Sequence, residues 1–355
     1  MKKKLKNVIA LSVVLQIILV KWLSNYPELI EEYYSKGCYV YSSKFFRFLY
    51  GWVPFSIGDL LYAALGITVI RYLIIKRKYI LQKPLNFFRN SMVVLSVAYF
   101  TFNILWGLNY YREPISKTLD LEEKQSRKAL IAFVEKLITK TNETQMAITT
   151  DSTLTVNIPY SNKEIFKKTI EGYTSLKKIH PSLNYEQPSI KESLFSTPLS
   201  YMGYGGYLNP FTNEAQVNGL IPPFRFPVVS GHEIGHQIGY SAENETNLIG
   251  YLVTVNNDDI YFKYSAYAYA LSYCLSNIKE NDETTFNALY PQLNKGVRKN
   301  YQEMNDFWMH YENVTEPIFK AVFNTFLKAN SQEDGIKSYS KVVLLMVSYH
   351  QKYPL

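Results

Sequence analysis

The residues whose types and spacing carry the most chemistry are His232-Glu233-Ile234-Gly235-His236, an HExxH run, with Glu243 seven residues beyond the second histidine. Wound as a helix over 228–238, the run puts His232 and His236 one turn apart on one face. Both imidazoles can then point a nitrogen at a single Zn2+ ion. Glu233 falls beside them, placed to act as general base on a zinc-bound water. Such a site keeps three protein ligands, and a carboxylate close downstream is the expected third. Glu243 and Glu245 both qualify by position but point to different sides of the helix that would carry them. Glu243 is favoured, because Asn247 then stands four residues on, on the same face, where it can orient a ligand from behind. Glu245 is the alternative.

The bland reading is a helix that carries two surface histidines around a glutamate by chance. Against it, the chain has only five histidines, a helix-ending Gly239 follows at once, and acidic candidates come directly after it. His180, His310 and His350 are scattered and read as ordinary surface or core residues. Cys38 and Cys274 are too few for a disulfide framework and lack metal-site spacing. One bridge between them stays open as an alternative.

Positioning these side chains takes a helix with defined ends. Pro227 suits the first turn, where its missing N–H costs nothing, and Gly239 suits a left-handed stop that reverses the chain. Ser241 is then the expected cap of a second helix carrying Glu243, Glu245 and Asn247. Upstream, Met202 to Tyr207 is rich in glycine, and Tyr207 to Asn218 reads as an extended segment or hairpin. Tyr207 to Val217 is the candidate edge strand for an extended substrate. Helical patterning falls at 121–141 and 161–178, with Ala147 to Ile158 as a weak strand candidate between them. After the metal helix the pattern is helical, with breaks near Asn256, Glu280, Pro291, Asn313 and Ser331. The expected fold is mainly α with a small β component.

Composition divides the chain in two. Three apolar runs, 5–23, 55–75 and 91–111, are each about long enough to cross a ~30 Å hydrocarbon layer. Residues 1–111 read as a membrane anchor and 112–355 as a globular domain. Lys21-Trp22 stands where a cleaved signal peptide would need small residues, so the first run is expected to remain as a span. Basic residues gather at Lys2 to Lys6 and from Arg71 to Arg89, which places those ends in the cytoplasm. The loop 24–54 and everything after Tyr111 then face outward, giving a multi-pass protein of the cytoplasmic (inner) membrane with its N-terminus inside. The anchor holds 14 basic and 4 acidic side chains against 24 and 26 in the remainder. The net +8 therefore belongs to membrane topology, and nucleic acid is discounted as a partner. Asp59 lies about one turn into the second run and reads as an interfacial carboxylate, capping the helix start or pairing with a neighbouring span.

The segments 55–59 (Phe-Ser-Ile-Gly-Asp), 106–112 (Trp-Gly-Leu-Asn-Tyr-Tyr-Arg), 209–218 (Asn-Pro-Phe-Thr-Asn-Glu-Ala-Gln-Val-Asn), 335–340 (Gly-Ile-Lys-Ser-Tyr-Ser) and the HExxH run add a resemblance. Together they resemble a family of bacterial three-span membrane proteins described as a domain of unknown function with a zincin-like signature. The resemblance implies a membrane-tethered metallopeptidase of the cell envelope and no particular substrate. His232, Glu233 and His236 match its metal motif directly. Glu243 and Asn247 are similar to the Glu-x-x-x-Asp pattern of glutamate-ligated zincins, with Asn in place of Asp.

The leading expectation is a zinc-dependent peptidase with a zincin-like extracytoplasmic domain, acting on peptides or proteins of the envelope at the surface of the lipid bilayer. The alternative is a non-catalytic, zinc-stabilised module that binds an envelope partner.

Overall fold

The computed structural model describes residues 3–122, 124–330 and 339–355. The Gly335–Ser338 part of the family-like segment, the break expected near Ser331 and the first two residues of the basic N-terminus lie outside the described residues. The described residues are mainly helical with one small sheet.

Among the described residues three helices are long and apolar enough to cross a membrane: α1 (Lys3–Leu23), α4 (Ile57–Gln82) and α5 (Pro84–Leu105). Their bounds correct the expected ones. The second runs on to Gln82, and the third starts at Pro84, whose fixed φ suits a first turn. Residues 107–111, expected inside the third span, form a separate 3₁₀ turn. α1 and α5 run in the same direction, since Lys6 Nζ donates to Asn90 Oδ1 (3.2 Å) while Gln16 Nε2 donates to Ser96 Oγ (3.0 Å). Polar contacts of this kind join helices where lipid supplies no hydrophobic drive.

Between α1 and α4 the chain folds into the short α2 (Pro27–Leu29), a π-helical stretch at Ile30–Cys38 and α3 (Tyr39–Gly51). Beyond the spans come α6 (Ile115–Leu119), α7 (Arg127–Thr149) and α8 (Asn162–Ile179). α7 carries its apolar stripe, Phe133, Val134, Leu137 and Ile138, into the core. It persists to Thr149, so 147–158 is not a strand. The Gln145 amide donates to the carbonyls of Asp151 and Leu154 and holds that stretch as a turn.

Next follow β1 (Ile190–Glu192), α9 (Ser196–Met202), β2 (Gly206–Asn209) and β3 (Glu214–Val217). The sheet has the order β1-β3-β2, with β1 parallel and β2 antiparallel to β3. Only the first part of the expected 207–217 edge strand is therefore an edge. β3 is paired on both sides.

α10 (Phe226–Gln237) packs between the sheet and α8, α11 (Glu243–Val255) and α12 (Ile260–Asn281). α13 (Glu283–Leu289), α14 (Lys295–Tyr311), α15 (Glu316–Ala329) and α16 (Tyr339–Lys352) complete the chain. The main core gathers α7, α11, α12 and α16 around Leu137, Leu252, Leu271 and Met346.

The spans are fastened to this body by buried polar side chains. Asp59, in the first turn of α4, accepts from Ser193 Oγ (3.0 Å), Leu194 N (2.7 Å) and the Tyr207 hydroxyl. It neither caps the helix nor pairs with another span, the two roles expected of it: Ser56 Oγ is the cap, accepting from Asp59 N (2.9 Å), and the Asp59 partners lie on the sheet side. Cys38 is exposed and Cys274 buried, and both are free, so the bridge between them does not form.

Candidate metal centre

α10 is built to end abruptly. Pro227 lies in its first turn, and Phe226, Val228 and Ile234 bury its apolar side. At the other end Gly239 adopts φ +91°. Tyr240 N donates to Gly235 O (3.2 Å) and Gly239 N to His236 O (3.0 Å), the paired bonds of a Schellman stop. The reversal brings the Tyr240 carbonyl under His236, whose Nδ1 donates to it at 2.8 Å.

α11 starts at Glu243 with Ala242 as its N-cap. Ser241, expected to cap it, turns its hydroxyl to Asn109 O (3.0 Å) instead. α11 then crosses α10 at very close range. A Cβ on Gly250 would meet Val228 O at 2.6 Å and His232 N at 2.9 Å, and one on Gly231 would meet Gly250 Cα at 3.0 Å. This glycine contact lets the two helices share one site.

Across that contact Glu243 reaches both imidazoles, at 3.4 Å from His232 Nε2 and 3.8 Å from His236 Nε2. Asn247, one turn on, accepts from His232 Nδ1 at 2.9 Å. Glu245 points elsewhere: its carboxylate accepts from Ile115 N (2.7 Å), which removes it as an alternative ligand. Glu233 stands beside the imidazoles, with ligand atoms of His232, Glu233 and His236 all within 4.8 Å of one another. Behind Glu233 is Gly206 of β2, where a Cβ would meet Glu233 Oε1 at 2.6 Å.

Burial governs the charges. It pushes His236 down to about 4 and holds His232 well below the ordinary imidazole value, so both rings are neutral. It pushes the Glu243 carboxyl up to about 7 and Glu233 well above its usual range, with the Glu243 charge adding to the latter.

These features fit a divalent cation. With both Nδ1 atoms donating, the neutral rings turn bare Nε2 lone pairs toward a carboxylate, so acceptors face acceptors. Two donor atoms held about 2.0–2.1 Å from a tetrahedral ion lie roughly 3.3 Å apart, close to the separations seen from Glu243. Glu233 Oε2 is buried without a hydrogen-bond partner among the described residues. His232, His236 and Glu243 could therefore hold the ion, leaving Glu233 beside it.

The far end of α10 is clamped by segments that adjoin the spans. Trp106 Nε1 donates to His236 O (3.1 Å), the Tyr39 hydroxyl to Gln237 O (2.8 Å) and Arg112 Nη1 to Gly239 O (2.9 Å). Hydrogen-bond donors and a cation thus meet the negative end of the helix dipole. The 24–54 segment therefore packs behind the metal helix and leaves the cleft open.

That cleft is a cavity of about 800 Å³, lined by the metal cluster, β2, Tyr110 and Tyr204, the start of α4, the end of α5 and one side of α15. Tyr110 and Tyr204 each have a hydroxyl pushed up by burial, with the Glu243 charge adding to it. Neither is marked by spacing in the sequence. His180 bonds Tyr349, His350 bonds Tyr251, and His310 packs on Tyr311, all outside this cavity.

The described residues thus form a mainly helical chain with three candidate membrane spans and a His232–Glu233–His236 cluster that could hold a metal ion. The chain belongs to the family described as Protein of unknown function (DUF3810), whose profile matches residues 34–347. No curated protein and no solved structure matches it.

Proposed function

We propose that this protein is a membrane-anchored zinc metallopeptidase of the glutamate-ligated zincin type, hydrolysing peptide bonds at the outer face of the cytoplasmic membrane. The observation that carries the reading is the convergence of His232 Nε2, His236 Nε2 and the Glu243 carboxylate, with the unpartnered Glu233 alongside.

When bound, Zn2+ supplies Lewis acidity and brings water within reach of a base near pH 7. Glu233 takes the proton from the attacking water and passes it to the leaving amine. Asn247 and the Tyr240 carbonyl hold the two rings in the tautomer that leaves Nε2 free. β2, at the sheet edge, offers unpaired backbone groups to an extended peptide beside Glu233. The extracytoplasmic placement is supported by Lys3, Lys4 and Lys6 and by Lys76, Arg77 and Lys78, which mark the span ends away from the domain.

The test is hydrolysis of a mixed peptide set by the purified full-length chain, with zinc content measured in parallel. Glu233→Gln is expected to keep its zinc and lose at least about a hundredfold in rate. Equal rates in the two forms would reject the assignment.

A further inference from the structure

The cavity is walled in part by the membrane spans themselves. Tyr62 of α4 and Phe102 of α5 both line it. Crossing the hydrocarbon takes about 20 residues, and in α4 the mostly apolar run from Ile57 to Ile75, with Asp59 near one end and Arg71 near the other, is about that length. Tyr62 lies five residues, roughly 8 Å, along α4 from its start, about one turn deeper than Asp59. Phe102 stands in the last turn of α5, at the same end.

The surroundings match that depth. Leu60, Leu61 and Leu65 beside Tyr62 are exposed, as lipid-facing residues are. α3, which leads directly into α4, buries Tyr39, Ser43 and Arg47 on one side. On the other it exposes Tyr41, Phe45, Phe48 and Trp52, the aromatic girdle of a helix lying at a membrane surface. α15 roofs the cavity, with Phe323 against Tyr204 and Phe326 against both Tyr110 and Phe102. Its outer side exposes Ile318 and Val322. Exposed apolar side chains of α3, α4 and α15 thus stand on the same elements as, or next to, residues that line the metal cavity.

Resting on the metallopeptidase reading, we infer that this cavity opens into the leaflet on the domain side, and that the substrates are polypeptides carrying a fatty-acyl chain, cut within a few residues of it. Width favours the acyl chain over a hydrophobic helix: a helix is about 10–12 Å across, whereas an extended acyl chain is slim enough to lie among the aromatic rings that line the cavity and leave room for the extended stretch that must reach Glu233. A flexible acyl chain can lie between Tyr62, Phe102 and Phe326 while the attached residues follow β2.

The test uses the full-length Glu233→Gln chain in phosphatidylethanolamine/phosphatidylglycerol vesicles. The probe is an octapeptide with an N-terminal palmitoyl chain ending in a diazirine. Photolabelling is expected at the cavity wall, around Tyr62, Phe102, Phe323 and Phe326. It should be suppressed by the plain palmitoyl peptide and spared by an approximately tenfold excess of the unacylated peptide or of palmitoylglycerol. Label spread evenly over the lipid faces overturns the inference, as does equal competition by the unacylated peptide, by palmitoylglycerol or by the same peptide fused to a hydrophobic helix. With the unsubstituted chain, the palmitoyl peptide is expected to be cut at least about tenfold more efficiently than the unacylated one. Equal cleavage with no cavity label removes this substrate class and leaves the peptidase. Cavity label with no cleavage of any peptide removes the peptidase and leaves the acyl site.

Discussion

Asn247 Oδ1 accepts a hydrogen bond from His232 Nδ1 at 2.9 Å, across the close contact of α10 and α11. That bond fixes the ring orientation and the tautomer, so Nε2 is left bare toward Glu243. Asn247 Nδ2 has no hydrogen-bond partner among the described residues, so an oxygen in its place would break no hydrogen bond. Asn247→Ala is expected to weaken zinc binding about 10–100-fold, and Asn247→Asp to bind at least as tightly as the parent. Competition against a chromophoric chelator measures both. Unchanged affinity in the alanine form would show that the ring needs no support from behind.

Protons report the ligand set independently. In the metal-free protein burial raises Glu243 from 4.5 to about 7. The folded chain then keeps a proton that the unfolded chain has released, so this group favours folding below pH 4.5 and loses that contribution as pH rises through about 7. Glu245, also raised to about 7 by burial, acts in the same direction. His236, lowered from 6.5 to about 4, acts oppositely: its contribution is full above 6.5 and is lost as pH falls toward 4. Zinc must displace the Glu243 proton at about pH 6 and has none to displace there near pH 8.5. Calorimetry in buffers of different ionisation enthalpy should show proton release at the lower pH, smaller by about one proton in Glu243→Gln. Identical release in the two forms would remove Glu243 from the ligands.

The helix contact itself can be loaded. Gly250→Ala places a methyl group against Val228 O and the His232 backbone, where no flexible side chain can give way. The expected cost is about 1–3 kcal/mol, with zinc affinity falling as Glu243 and Asn247 move off the imidazoles. Gly66→Ala is the contrast, because nothing lies within 4 Å of a Cβ there. Thermal unfolding of the two forms with and without zinc makes the comparison. Equal midpoints would mean that the crossing tolerates a wider spacing.

What was legible in the sequence is local. The HExxH spacing, Pro227 and Gly239 act within a few turns of chain, and periodicity found α7 and α8. The choice between Glu243 and Glu245 depended on where α11 begins, and a one-residue shift from Ser241 to Ala242 as its cap rotates every side chain by roughly 100°. Only the crossing at Gly231 and Gly250 fixes that rotation. Tyr39, Trp106 and Arg112 act on α10 from more than a hundred residues away, and no local pattern marks such contacts. The weak alternation over 147–158 was misleading because polar turn residues, held by the Gln145 amide, mimic a half-buried strand.

The join between span and domain yields a last prediction. Lys191 Nζ donates to the carbonyls of Tyr50 and Phe55, each at 2.9 Å, and pairs with Glu214, both side chains being nearly inaccessible. Glu214 in turn accepts from Ile57 N (3.2 Å) and Thr212 Oγ1 (2.8 Å), an anion set at the start of α4. Lys191→Met removes the cation and strands a buried carboxylate, an expected loss of about 3–5 kcal/mol. Adding Glu214→Gln should return part of it, because no charge is then buried and the amide oxygen can still accept from Gly58 N and Thr212 Oγ1, while its NH2 faces Ile57 N. Removing the exposed Lys44–Glu186 pair is expected to cost no more than about 1 kcal/mol. Denaturant unfolding of the three forms in detergent decides the matter. A single Lys191→Met form as stable as the surface variant would mean that the spans are held to the domain without this pair.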